Sequence, residues 1–172
     1  MSEEVILVDD DDNFLGTADK LEAHRQGLLH RAFSVFIIND AGEWLLQQRA
    51  MEKYHSGGLW TNACCSHPRP DETTMAAAVR RLHEEMGITA ALTHLFHFTY
   101  RTEFDNGLIE HELDHVYIGR FSGIPQPDPH EVMDWKFVHP EKIIAEVKAY
   151  PERFTEWFKL SYEIVLINAF ID

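Results

Sequence analysis

The chain has only two cysteines, and they are neighbours, Cys64 and Cys65. Adjacent cysteines rarely close on each other without a strained bond, so a disulfide framework is not expected and a reducing compartment fits. Positive charge is scarce as well: 15 Lys and Arg stand against 29 Asp and Glu, a net charge of −14 with His neutral. That balance argues against nucleic acid and anionic membranes as partners, since both need a basic surface. It leaves room for an anionic small molecule, because a few basic residues can converge locally. No apolar run reaches membrane-spanning length. The opening Met1-Ser2-Glu3-Glu4 has no basic segment ahead of an apolar one, so no signal peptide is expected. A soluble cytoplasmic protein is expected; a monomer or weak homodimer is a working expectation that does not rest on these features. With 172 residues, 45% of them hydrophobic, and no repeat or linker, residues 1–172 are expected to form one domain.

The pattern along the chain alternates strand signals with turn signals. Val5–Val8 and Phe14–Thr17 read as strands around the acidic turn Asp9–Asn13. Asp19–His24 reads as a short helical or irregular segment. Ala32–Ile38 and Glu43–Arg49 form a hairpin through Asn39-Asp40-Ala41-Gly42. Met51–Leu59 is a loop, and Trp60–His67 is extended. Thr73–Met86 is the clearest helix, with Met75, Val79, Leu82 and Met86 as its apolar stripe and Gly87 as its stop. Ala91–Arg101 and Leu108–Phe121 pair through Asp105-Asn106-Gly107. A proline-bearing loop, Ser122–His130, leads to a strand at Asp134–Val138. Helices follow at Pro140–Val147 and Pro151–Ile171, the last with Phe154, Trp157, Phe158, Ile164 and Val165 on an apolar face. The order predicts a mixed sheet with helices packed on it.

Chemistry concentrates in Trp60-Thr61-Asn62-Ala63-Cys64-Cys65-Ser66-His67-Pro68 and the helix after it. In an extended segment, residues 61, 63, 65 and 67 share a face, so Cys65 points with His67 and Cys64 points away. Both thiols also fit as small buried hydrophobes. Glu110 and Glu112 share a strand face, with Asp114 beyond. They would repel unless a cation or proton lies between them, or unless they form a solvated outer face. With His24, His30 and His67 they would make a mixed nitrogen and oxygen site suited to Zn²⁺, Mn²⁺ or Fe²⁺. Of the 11 histidines, His111 also lies near acidic residues. Glu85 can bind a hard cation while Arg81 faces a phosphate, as can Lys20, Arg49 and Lys53. The spacing of Arg80 and Arg81 to Glu84 and Glu85 fits ordinary helix salt bridges equally well.

Ser66–Ile88 resembles the Nudix box: Glu72, Arg80, Leu82, Glu84, Glu85, Gly87 and Ile88 fall at its offsets. Ser66 replaces its first Gly, and Arg81 replaces the Glu that follows Arg80, which weakens the usual metal cluster for diphosphate hydrolysis. Trp60-Thr61-Asn62, Cys65-x-His67-Pro68 and Glu110-x-Glu112 narrow the resemblance to the type I isopentenyl-diphosphate isomerases. His24, His30-Arg31-Ala32-Phe33-Ser34, Arg49, Lys53, Phe98-Thr99-Tyr100-Arg101 and Trp157 extend it through nearly the whole chain.

That resemblance implies an α/β (α+β) Nudix fold, a mixed β-sheet sandwiched between α-helices. It implies a flavin-independent isomerase of isoprenoid biosynthesis that interconverts isopentenyl and dimethylallyl diphosphate by an antarafacial proton shift. Cys65 and Glu112 would be the acid/base pair, with Tyr100 assisting and Trp157 stabilising positive charge. His24, His30, His67, Glu110 and Glu112 would bind one Mn²⁺ or Zn²⁺ per chain. Glu85 would hold the Mg²⁺ brought by the diphosphate, and Lys20, Arg49, Lys53 and Arg81 would contact the diphosphate itself. The alternatives are a Nudix hydrolase of a nucleoside diphosphate derivative and a non-enzymatic, metal-stabilised binding domain.

Overall fold

The computed structural model describes residues 3–169. A hairpin of β1 (Glu4–Val8) and β2 (Phe14–Asp19) leads into a short helix, α1 (Lys20–Gln26). The central strand, β3 (His30–Ile38), follows, then β4 (Trp44–Arg49), β5 (Trp60–Thr61) and β6 (Cys64–Ser66). Helix α2 (Thr74–Met86) precedes a long hairpin of β7 (Leu92–Glu103) and β8 (Ile109–Arg120). Strand β9 (Val132–Val138), α3 (Pro140–Ala149), a 3₁₀ turn (Pro151–Arg153) and α4 (Glu156–Ala169) complete the order. None of the described helices is long and apolar enough to cross a membrane.

The sheet is mixed because β3 and β8 run parallel while the other pairs are antiparallel. Along β3, alternation sends Phe33, Val35 and Ile37 to one face and Phe36 to the other. The first face packs on α2 through Ala77, Ala78, Leu82 and Met86. The second packs on α3 and α4 through Ile143, Val147, Phe158, Tyr162 and Val165. β3 is therefore apolar on both faces, as a strand buried between two helical layers must be.

Helix α2 starts where the Thr73 side chain accepts from the Ala76 N–H and stops at Gly87, in the left-handed region at φ 66°. A Cβ at Gly87 would meet Gln126 at 2.8 Å, so the stop is specific to glycine. The expected stripe on this helix is only half right. Leu82 and Met86 are buried, but Met75 and Val79 are exposed, and Ala77 and Ala78 take the inner face. Small side chains let the first turns of the helix lie close to the sheet, which leaves Met75 and Val79 outward.

Two expected elements are broken by bonds to residues distant in the chain. Trp60–His67 is not one strand: Asn62 donates to the carbonyls of Val35 and Cys64, at 3.0 and 2.9 Å, and bends the chain between β5 and β6. Ala63 consequently packs in the core with Cys64 rather than sharing a face with Cys65. The helix expected over Pro151–Ile171 begins only at Glu156. Phe154 bridges to Trp60, and Thr155 donates its N–H to the Trp60 carbonyl at 3.0 Å and its hydroxyl to Thr61 at 2.9 Å. Ile164 is exposed while Val165 is buried, and the expected helix end at 170–171 lies outside the described residues.

Candidate active site and metal centre

Strand register assembles the first half of the site. Parallel pairing sets His30 against Glu112, and antiparallel pairing sets Tyr100 against the same Glu112. Glu110, one period earlier on β8, shares the face. Asp19 caps α1 by accepting from the Glu22 N–H, and the last turn of that helix buries His24 against Glu110. His67 enters just after β6.

The imidazoles are aimed by their outer nitrogens. His24 Nδ1–H donates to the Lys20 carbonyl at 2.6 Å, and His30 Nδ1–H to the Leu28 carbonyl at 2.9 Å. Each Nε2 then faces inward toward the carboxylates, where it can carry a proton or offer its lone pair to a cation. His24 Nε2 lies 2.8 Å from Glu110 Oε1, and His67 Nε2 lies 2.7 Å from Glu112 Oε2. His30 Nε2 is 3.3 Å from both His67 Nε2 and Glu112 Oε2. One ligand atom from each of these five residues lies within 4.8 Å of all the others.

Such a centre needs positive charge. Burial disfavours charge on His30, yet Glu110 and Glu112 outweigh it and lift its pKa to about 10. Burial pushes His67 the other way, to about 4 against the pull of Glu112, so it is a neutral donor at pH 7. Converging lone pairs and two buried carboxylates fit a divalent cation, which would replace the proton the cluster otherwise has to borrow.

The acid/base candidates line a small cavity of about 20 Å³, walled by Phe33, Tyr54, Cys65, His67, Glu112 and Trp157. Trp157, in the first turn of α4, donates its indole N–H to Cys65 Sγ at 2.9 Å. Cys65 donates to Asn62 Oδ1 at 3.1 Å. On the Glu112 wall, Tyr100 donates its hydroxyl to Glu112 Oε1 at 2.5 Å. Burial, then the nearby Asp114 carboxyl, pushes the Cys65 thiol up to about 12. Asp114 is itself buried; desolvation and the Glu112 charge hold its pKa well above the usual range, and Ser34 donates to its Oδ2 at 2.8 Å.

A wider cleft of about 430 Å³ opens beside this cavity, sharing Cys65, Ser66 and His67 as part of its wall. Lys20, Arg49, Lys53 and Arg81 all line it. In an acidic protein these four basic groups converge, as an anion site requires. They are partnered by carboxylates in the meantime: Lys20 by Glu3 at 3.1 Å, Lys53 by Glu131, and Arg81 by Glu84 at 2.7 Å. Arg49 is buried, its guanidinium 5.2 Å from the Trp157 ring centroid. Glu85 stands apart from the five-residue cluster. It accepts from the Cys64 thiol at 2.6 Å and faces Arg81 at 3.4 Å. Burial raises its pKa, with Arg81 opposing.

The structure thus gathers Cys65, Glu112 and Trp157 around one cavity with Tyr100 bonded behind Glu112, the three histidines and two glutamates into one cluster, and the four cations into one cleft. His111 is elsewhere: its Nδ1 meets the Gly27 carbonyl at 3.0 Å at the end of α1. Sequence reasoning missed Tyr54, His55, Arg69 and Arg80. Arg69 and Arg80 line the cleft, and Tyr54 lines both spaces. His55 is buried, with Nε2 2.5 Å from Glu110 Oε2 and its ring stacked on Phe104 at 4.5 Å. These two aromatics sit in an irregular loop without periodicity; an aromatic pair between basic and glycine residues was the available signal.

The NUDIX domain matches residues 28–158. An isopentenyl-diphosphate Delta-isomerase of Pectobacterium atrosepticum is 54% identical over 159 residues, covering 92% of this chain and 89% of its own length. One from Burkholderia multivorans is 48% identical over 163 residues, covering 95% and 93%. Among solved structures, a protein of Deinococcus radiodurans superposes with a TM-score of 0.72 at 20% identity, over 86% of this chain and 90% of that one. The MutT protein of Methanosarcina mazei gives 0.66 at 21% identity, over 78% and 91%. At those identities the two structures speak for the fold alone.

Proposed function

The chain belongs to the NUDIX family, among its isopentenyl-diphosphate Delta-isomerases, and from that premise we propose how its own residues interconvert isopentenyl and dimethylallyl diphosphate. The reaction is an allylic 1,3-proton shift. A proton adds to the terminal alkene carbon, the double bond migrates, and a different proton leaves the allylic carbon. Two proton-handling groups on opposite faces of the tail are needed. The single observation that carries the reading is that Cys65 and Glu112 both line one cavity, each with its own hydrogen-bond partners.

One member of the pair donates to the alkene while the other takes the allylic proton, and the roles exchange with direction. Tyr100, bonded to Glu112, relays or steadies its proton. The Trp157 N–H holds the Cys65 sulfur in place, and its π-system tempers the positive charge of the carbocation-like state. The cavity, about 20 Å³, holds roughly one water, so the tail must displace solvent and part the walls to enter. Water kept out cannot quench the cation to an alcohol. Lys20, Lys53 and Arg81 exchange their carboxylate partners for the diphosphate, and Arg49 adds its buried guanidinium. A Mn²⁺ or Zn²⁺ held by His24, His30, His67, Glu110 and Glu112 would sharpen the acidity of the Glu112 carboxyl, while Mg²⁺ at Glu85 would offset diphosphate charge.

The direct test measures isomerisation of isopentenyl diphosphate by metal-stripped and metal-restored protein, beside phosphate release from nucleoside diphosphate derivatives. Isomerisation that vanishes on stripping and returns with Mn²⁺ or Zn²⁺ plus Mg²⁺ is the expected result. Phosphate release without isomerisation would favour hydrolysis instead, against which Arg81 already stands at a position the hydrolytic box gives to Glu.

A further inference from the structure

A second group of histidines lies on the other side of the sheet. Glu110, Glu112 and Asp114 point to one face of β8, and His115, of opposite parity, points to the other. Across the hairpin, β7 sets His97 opposite His115 and His94 opposite Tyr117. Three residues apart, His94 and His97 would fall on opposite faces of a regular strand. The register shift between His94 and Phe96 inserts Leu95 as an extra residue, which turns both imidazoles to the face of His115. One ring nitrogen from each of the three lies within 4.8 Å of the others.

Asp12 prepares this group for a ligand. His115 Nε2–H donates to Asp12 Oδ2 at 2.8 Å, which leaves Nδ1 as a bare lone pair, 2.9 Å from His94 Nε2. Asp12 is fixed in turn: its backbone sits in the left-handed region at φ 65°, and Arg31 donates to its Oδ1 at 2.7 Å and its carbonyl at 2.9 Å. A carboxylate behind an imidazole is the arrangement that orients metal-binding nitrogens. Nitrogens bound at about 2.0–2.1 Å to one ion lie about 2.9–3.4 Å apart in square or tetrahedral sites, and the His94–His115 pair already has that spacing.

We propose that His94, His97 and His115 form a second metal site, distinct from the buried centre, for a borderline divalent transition ion such as Zn²⁺, Ni²⁺ or Cu²⁺. The ion replaces the proton shared by His94 and His115. His94 and His97 are exposed, so it arrives directly from solvent, with coordination positions left for water or a further ligand. Asp12 belongs to the turn between β1 and β2, so a bound ion clips that turn to the β7–β8 hairpin.

The test uses protein whose buried centre is already filled with its resident ion. Zn²⁺ is titrated in by calorimetry, with H97A, H115A and D12N alongside and isomerase turnover as the check on folding. Wild type is expected to take up one further equivalent and to gain in melting temperature. H97A and H115A should lose that binding or weaken it at least tenfold, and D12N should weaken it about 10–100-fold through His115 alone. His97 is an exposed side chain, so H97A keeps the test decisive if H115A disturbs the strand. Absence of a further equivalent in wild type, or equal affinity in wild type and H97A, would overturn the site.

Discussion

The chain contains two pairs of a thiol and a carboxylate, one against each face of the sheet. Cys64 and Glu85, between β6 and α2, are in direct contact at 2.6 Å. Cys65 and Glu112, on the α4 side, line one cavity without bonding each other, each satisfied by someone else: Cys65 by Trp157 and Asn62, Glu112 by Tyr100 and His67. The residue types match and the two thiols are neighbours in the chain, yet only the second pair lines a cavity that a substrate tail could widen. A contacting pair spends its proton on itself. A separated pair, held by third parties, can spend it on whatever enters the gap.

The strongest way to break this comparison is to remove each thiol in turn. Cys65→Ala should lower isomerisation by about 10²–10⁴-fold or more, the usual worth of a positioned proton-transfer group. Cys64→Ala should keep turnover within a few-fold, because Glu85 retains Arg81. Equal losses in two well-folded variants would erase the distinction between the faces.

The carboxylates sharpen it next. His67→Ala or Glu112→Gln should strip the tightly bound ion from the purified protein, as read by elemental analysis. Glu85→Gln should leave that ion in place and instead raise the Mg²⁺ concentration needed for half-maximal turnover, with a smaller loss of maximal rate. An Glu85→Gln protein emptied of transition metal, with its Mg²⁺ dependence unchanged, would merge two sites held here to be separate. If Glu85 merely paired with Arg81, activity would barely change at any Mg²⁺ level.

The smallest effect is in titration. Burial and the neighbouring Asp114 disfavour the Cys65 thiolate, so its pKa moves up, to about 12. Below that value the thiolate fraction grows tenfold per pH unit. In metal-free Cys64→Ala protein, the alkylation rate of Cys65 should therefore keep climbing beyond pH 9, with no plateau near the ordinary thiol value. A plateau below pH 8 would show a thiolate stabilised in the resting site.

Much of this was legible in the sequence, because the site is built on regular elements. The two-residue period of β8 alone puts Glu110, Glu112 and Asp114 together, and the box spacing fixes Arg81 and Glu85 on one helix. The assignment of Cys65 to the His67 side survives, although the alternation used to reach it does not run through Asn62 and Ala63. What escaped was decided at long range. Nothing local to Phe154 and Thr155 announces that Trp60 and Thr61 will pull them out of a helix, and that interruption is what starts α4 just before Trp157. His55 escaped for a similar reason, since only folding brings its loop against Glu110.

The nine-residue parallel register of β3 with β8 has a further consequence for how this gene can vary. Deleting or inserting one residue inside either strand would exchange its faces, sending His30, or Glu110 and Glu112, out of the site while leaving composition almost untouched. Point changes there are graded injuries; length changes are total. The bulge at Leu95 shows where the sheet does absorb an extra residue, at the far end of β7 from Tyr100. Natural and engineered variation in chain length should accordingly collect in the connecting loops and at that bulge, and be missing from the stretches 30–38 and 109–120.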